Sequence, residues 1–354
     1  MSVAILLLQV AVILAVCRLL HAAAERIGQP PVIGEIVAGL LLGPSFLGWV
    51  APPLSQWLFP AASLPALNFL SQIGLVLFMF LVGLHLDLAE VYAFRRTAGV
   101  TGLLSIVVPF GLGLMLAGPL HPLAPASPML EFSLLIAVSM SITAFPVLAR
   151  ILTHQNLSTT KLGHVAIACA AFNDALAWCL LAWIVAISRS AEAPAMRPLL
   201  ILVVYVAIML GVVRPALRGL AGKFAGSELS AMLIFLFLSS WVTELAGFHA
   251  LFGAFLAGAV WPRGSNNSRI AADIEPLATK MLIPLFFSYT GLRTNIGAVG
   301  DHIGLSALVI AGAIAGKVGG AFAGARLTGF DTRNSLALGF LLNTRGLVEL
   351  IVLN

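Results

Sequence analysis

Twelve apolar runs leave this 354-residue chain little choice of fold. They cover residues 3–22, 31–48, 67–86, 98–118, 131–152, 161–188, 198–217, 228–246, 248–262, 276–292, 302–325 and 335–354. A bilayer crossing needs about 20 such residues. Backbone in hydrocarbon must satisfy its own hydrogen bonds, so each run is read as a helix. Charged residues make up only 9% of the chain, against about 25% in soluble domains. The expectation is an all-α polytopic membrane protein. The ninth run is short for a crossing, which tilting, kinking or local thinning of the bilayer would accommodate. The longest polar connections, around 49–66 and 263–275, are too short for a soluble domain.

The ends and loops follow from the same reading. Arg18 is the first basic residue and comes after most of the first run, so Ala22 to Ala24 belong to a retained helix rather than to a signal-peptide cleavage site. The last run reaches Asn354 with no cap or stop signal, which predicts a chain cut short of a thirteenth helix. Loops after odd-numbered runs hold Arg26, Arg95, Arg96, Arg150, Lys161, Arg214, Arg218, Lys223, Arg263, Arg269, Arg326 and Arg333. Loops after even-numbered runs hold only Arg189, Arg197 and Arg293. Basic loops stay cytoplasmic. The N-terminus is therefore expected outside, with the chain in a bacterial inner (plasma) membrane and lipids as its surroundings. The net charge of +5 is thus a matter of topology and does not point to nucleic acid. Cys17, Cys169 and Cys179 fit neither a disulfide framework nor a metal-ligand spacing and read as small buried hydrophobes.

Four polar features interrupt the apolar runs at membrane depth. Asn173-Asp174 lies near the middle of run six. A carboxylate there costs about 2.5–3.5 kcal/mol on insertion scales, which ion or proton handling would justify. Run five carries S-M-S-I-T-A-F-P, residues 139–146. Pro146 removes a backbone hydrogen bond. Ser139, Ser141 and Thr143 can stand in for the lost partners, or freed carbonyls can coordinate a cation. Run twelve carries N-T-R-G-L-V-E-L, residues 343–350, in which Arg345 and Glu349 share a helix face and can pair with each other. Lys317 is central in run eleven, too deep to snorkel, and needs a counter-ion; Asp174 is the candidate at matching depth. The glycines and alanines around it permit close approach of a neighbouring helix.

The order of these features matters. Runs four to six read plain, polar-interrupted, acid-bearing; runs eleven and twelve read lysine-bearing, polar-interrupted. Interrupted segments in corresponding positions of two halves point to an inverted-repeat transporter with its site at the midplane. Glu35, at the start of run two, leaves capping, vestibule lining and pore lining open. Glu244, near the end of run eight and followed by His249, is a second possible vestibule residue. The remaining histidines, His21, His85, His121, His154, His164 and His302, sit near run ends, where interfacial hydration accounts for them.

At P-P-V-I-G-E-I-V-A-G-L-L-L-G-P-S, S-I-T-A-F-P-V-L-A-R-I-L, A-A-F-N-D-A-L-A-W, H-A-L-F-G-A-F-L-A-G, L-I-P-L-F-F-S-Y-T-G-L-R-T-N-I and N-T-R-G-L-V-E-L-I-V-L-N, the chain resembles the second family of monovalent cation:proton antiporters. It is most similar to the plant cation/proton exchangers and their bacterial relatives. The resemblance implies thirteen helices, two of them discontinuous crossings. It implies a mobile core, approximately 98–188 and 302–354, beside a dimerisation scaffold, approximately 1–48 and 198–262, and so a homodimer. Asp174 would match the transported-ion carboxylate and Asn173 its polar neighbour. Thr143 and Ala144, with Ser141 nearby, would fall in the unwound crossing. Lys317 would match the basic partner in the core, and Arg345, with Glu349, the second crossing. Many relatives carry two adjacent acids where this chain has Asn173-Asp174, a departure that fits one-for-one exchange.

The function expected is exchange of K⁺ or Na⁺ for H⁺ by alternating access, with the two ions competing for Asp174 and no cofactor or resident metal. A gated potassium efflux pathway on the same fold is the nearest alternative. An intramembrane enzyme using Asp174 with His164 or His249 finds no metal-binding or nucleophile-base motif in its favour.

Overall fold

The computed structural model describes residues 3–125, 127–188, 197–220, 228–262, 267–295, 297 and 303–345. Their regular structure is all helical, with no strand among them. In chain order the helices are α1 (Val3–Arg26), α2 (Pro31–Leu42), α3 (Leu47–Val50), α4 (Pro52–Leu58), α5 (Leu64–His85) and α6 (Leu88–Ala93). Then come α7 (Arg95–Leu120), α8 (Met129–Ser141), α9 (Phe145–His154), α10 (Lys161–Ser188), α11 (Arg197–Ile208) and α12 (Arg214–Leu220). Last are α13 (Glu228–Leu245), α14 (Ala250–Val260), α15 (Asn267–Leu277), α16 (Ile283–Leu292), α17 (Ile303–Leu327) and α18 (Thr332–Leu342). Two π-helical turns, Met209–Val213 and Ala278–Leu282, join α11 to α12 and α15 to α16 without a break.

Eight of the described helical stretches are long and apolar enough to cross a membrane. Their outer faces carry Leu103, Val107 and Met115 of α7 and Ile234, Leu238 and Trp241 of α13, all exposed, as lipid-facing surfaces require. The protein is a multi-pass integral membrane protein. The short ninth run is α14, with 11 residues, about 16 Å of helix against a hydrocarbon core of about 30 Å.

The helices pack in two groups. In one, α7 lies along α17 and against α8, α18 packs on α17, and α10 lies against α7, α8 and α9. In the other, α5 packs on α14 and α16, α2 on α1 and α16, and α13 on α14. Residues Gly74 to Gly83 of α5 are buried without interruption, so this helix is apolar on all sides and central to its group. The groups touch where α9 meets α2 and α5 and where α10 meets α11.

Small residues set the closest approach. A Cβ on Gly320 of α17 would stand 2.3 Å from Leu104 O of α7, and one on Gly324 would stand 2.6 Å from Thr101 Cα. The two backbones therefore touch directly, which is the use expected of the glycines around Lys317.

Candidate functional site

The fifth crossing is interrupted as its sequence suggested. Helix α8 ends at Ser141, Ile142 turns extended at φ −64° and ψ 143°, and α9 restarts at Phe145. Pro146 lies in the first turn of α9, where its missing N–H costs nothing because first-turn donors have no helical partner. Opposite it, α18 stops at Leu342. The two breaks bind each other: Ala144 N–H donates to Thr344 O at 2.9 Å, and Thr143 Oγ1 lies 3.1 Å from Leu342 O. Residues 346–354 lie outside the described residues, and with them Glu349 and its expected pairing with Arg345.

An α-helix leaves its last four carbonyls without helical partners. At the end of α8 all four are engaged. Val138 O accepts from Ile142 N–H at 3.1 Å. Arg345 donates to Ser139 O at 3.4 Å and to Met140 O at 3.0 Å, and also reaches Ala313 O of α17 at 2.9 Å. Lys317, fully buried, donates through Nζ to Ser141 O. Two cations thus sit at a helix C-terminus, where the partial negative charge of the aligned peptides favours them. The carbonyls of Ser139, Met140 and Ser141 thus each accept from a protein cation. Ser141 Oγ turns back to Ala137 O at 2.7 Å.

Helix α10 supplies the third wall. Asn173 is fully buried, 2.8 Å from Ser105 Oγ of α7 and 3.2 Å from Thr143 Oγ1. With its oxygen toward those hydroxyls, its nitrogen donates to Gly102 O at 2.9 Å and Cys169 O at 3.2 Å. The opposite orientation would set that oxygen against two carbonyls, so the surroundings select the first. Asp174 follows on α10 and is half-buried. The structure therefore gathers Ser141, Thr143, Ala144, Asn173, Lys317 and Arg345 around one break, with Asp174 next in sequence to a residue that touches it.

The two possible vestibule residues stand apart from this cluster. Glu35 is buried on α2 and pairs with Arg150 of α9 at 2.9 Å. Arg150 was expected in a loop; α9 instead continues to His154 and keeps the guanidinium inside. Glu244 accepts the Ala250 N–H at 2.8 Å at the start of α14 and lines a cavity of about 730 Å³ with Phe69, Trp241 and Arg293. His164, expected to be hydrated, is 4% exposed because the first turns of α10 pack inside the protein. Ser105 was missed: a lone serine in an apolar run gives no signal until its partner is known. Cys17 and Cys169 are buried as expected, whereas Cys179 is only half-buried. No group of three metal-ligating side chains occurs among the described residues.

The model of the transmembrane sodium/hydrogen exchanger family matches residues 11–354. The chain belongs to this family. It is a family of transporters rather than enzymes. Among its relatives, the Na(+)/H(+) antiporter NhaS4 of Synechocystis is 39% identical over 99% of this chain and 88% of its own length. Cation/H(+) antiporter 20 of Arabidopsis thaliana is 38% identical over 99% of this chain, which spans 44% of that protein. The solved sodium proton antiporter MjNhaP1 of Methanocaldococcus jannaschii superposes with a TM-score of 0.63 at 14% identity, covering 98% of this chain and 85% of the other. That likeness shows a shared fold.

Proposed function

We propose that this exchanger trades a monovalent cation, K⁺ or Na⁺, for H⁺, with the two ions taking turns on Asp174. The observation that carries the reading is the committed end of α8. Lys317 and Arg345 already donate to the carbonyls of Ser139, Met140 and Ser141. Among the described residues, Asp174 is then the acid closest in sequence to the crossing contacts made by Asn173. Desolvated near fixed positive charge, a carboxylate gains a proton or an alkali cation but not both.

In this reading Thr143 and Asn173 hold the unwound segment in shape beside Asp174, with Ser141 and Ala144 completing its frame. Lys317 is the electrostatic partner of the acid, and Arg345, with Glu349, serves the second crossing. The group containing α7, α8, α10, α17 and α18 moves against the group containing α2, α5, α14 and α16. That motion alternates access, and the second group supplies a homodimer contact. Odd-numbered loops face the cytoplasm of a bacterial inner membrane. The relatives named for sodium or for cations exchanged with protons support the reaction class.

The test is reconstitution of the full-length protein in proteoliposomes holding a pH dye, with K⁺ and Na⁺ added in turn. The expected result is a cation-dependent dye response that Asp174→Asn abolishes. A response indifferent to the cation, or unchanged in that variant, overturns the reading. Cation flux without proton movement would mark a channel-like efflux pathway instead.

A further inference from the structure

We propose that Glu35 and Arg150 form a latch that pins the crossing helix α9 to its neighbours α2 and α16, and that its release frees α9 to move. Arg150 lies seven residues beyond Thr143 on the same crossing segment, about two helical turns from the break. Its Nη2 donates to Glu35 Oε1 at 2.9 Å and to Thr279 O at 3.0 Å. The side chains of Arg150 and Glu35 are 12% and 2% exposed. His21 and His154, by contrast, lie within 4 Å of Glu25 at far more exposed positions.

The receptacle for the guanidinium is built by the backbone. Thr279 lies in the π-helical turn between α15 and α16. In that turn Ile283 N–H goes to Ala278 O, five residues back. The next residue is Pro284, which has no N–H to give. Thr279 O is thus left without a main-chain donor, and Arg150 from the other packing group supplies one. Such π turns concentrate at functional sites.

The pair is also made in a form suited to opening. Only one oxygen and one nitrogen are used: Glu35 Oε2 and Arg150 Nε are buried with no hydrogen-bond partner among the described residues. A buried ion pair is a net stabiliser only when its remaining donors and acceptors are satisfied, so this one holds weakly. Beside it, a crevice of about 270 Å³ lies between the groups, lined by Phe78, Val82 and His85 of α5, Thr153 of α9, Ile167 of α10 and Thr279. Ile167 is seven residues before Asp174 on the same helix, so the crevice touches α10 about 10 Å along from the proposed ion carboxylate. The latch therefore rests on the exchanger reading for its purpose, although its geometry does not.

The experiment reads the crevice directly. In the full chain, with Cys17, Cys169 and Cys179 replaced by alanine, Thr153→Cys is labelled in lipid nanodiscs by a membrane-impermeant maleimide. Glu35→Gln is expected to raise the labelling rate about threefold or more by shifting the population toward the released state. The charge swap Glu35→Arg with Arg150→Glu is expected to return the rate toward that of the parent. An unchanged rate in Glu35→Gln, or a rise that the swap fails to reverse, overturns the latch. If Glu35→Gln does not fold, Arg150→Lys, which keeps the charge and loses the fork, carries the same expectation and the same refutation. Labelling needs no ion flux. A chain that labels as expected but shows no exchange would sink the exchanger reading alone, and one that exchanges but labels without change would sink only the latch.

Discussion

Ala144 N–H donates to Thr344 O at 2.9 Å, and this main-chain bond joins two interrupted segments 200 residues apart. Neither segment could leave its helix so deep in an apolar protein without some such partner, because an unpaired buried amide costs about 1–3 kcal/mol. The breaks satisfy one another.

Ala144→Pro breaks the bond without changing the φ of residue 144. Ala144 already has φ −76°, inside the range of proline, about −65 ± 15°. The substitution removes the donor and puts the ring Cδ in its place, against Thr344 O, so the two segments must part there. Exchange is expected to fall about tenfold or more, in line with a lost hydrogen bond of about 1.4 kcal/mol. Ala144→Ser should exchange like the parent. Equal proteoliposome rates for Ala144→Pro and the parent would show that the tie is dispensable.

Lys317 and Arg345 share one helix end, so their removals should not add. Lys317→Met and Arg345→Gln each leave buried carbonyls without a donor, a loss of about 1–3 kcal/mol. Once either is gone the last turn of α8 frays, and the second cation has less to hold. The double variant is expected to lose less stability than the sum of the singles, by about 0.5 kcal/mol or more. Thermal denaturation of the purified variants in detergent measures the coupling; strict additivity would mean the two act on separate structures.

Gly319 and Gly320 are adjacent on α17 and should respond oppositely to alanine. A Cβ on Gly320 would meet Leu104 O at 2.3 Å, whereas one on Gly319 meets nothing within 4 Å. Gly320→Ala is expected to destabilise by about 1–3 kcal/mol, as overpacking does, and to disturb Lys317 three residues away. Gly319→Ala should be neutral or slightly stabilising. Similar melting temperatures for the two would refute the close approach.

Asp331 gives a pH signature outside the membrane. Its carboxylate caps α18, accepting from Asn334 N–H at 3.2 Å and from Asn334 Nδ2 at 2.5 Å. Those bonds hold its carboxyl below the usual aspartate range, the backbone donor contributing most. A depressed folded value stabilises above the ordinary aspartate range and is lost as pH falls through the folded value. Asp331→Asn keeps an acceptor without a titrating group, so its melting temperature should vary less than the parent's on acidification below about pH 4. Parallel pH profiles for the two proteins would remove this cap from the account.

Much of the crossing was legible because its signals are local. Pro146 with Ser139, Ser141 and Thr143 marks a helix that must break, and Asn173-Asp174 is conspicuous in an apolar run. Partners across the fold were not legible. Lys317 demanded a counter-charge, and an acid was the natural guess; the structure adds a carbonyl at a helix end, which no spacing announces. Glu35 and Arg150 are 115 residues apart, and Arg150 near the end of a run reads as interfacial. Thr279 becomes an acceptor only because a π turn meets Pro284, a coincidence visible once the backbone is known.

The contact between α7 and α17 has one more consequence. Where glycine lies directly on a neighbouring main chain, no side chain remains to swing, slide or repack. The two helices then behave as a single stiff plank, and Lys317 rides on it with a fixed reach. Any stroke this protein makes must bend somewhere else.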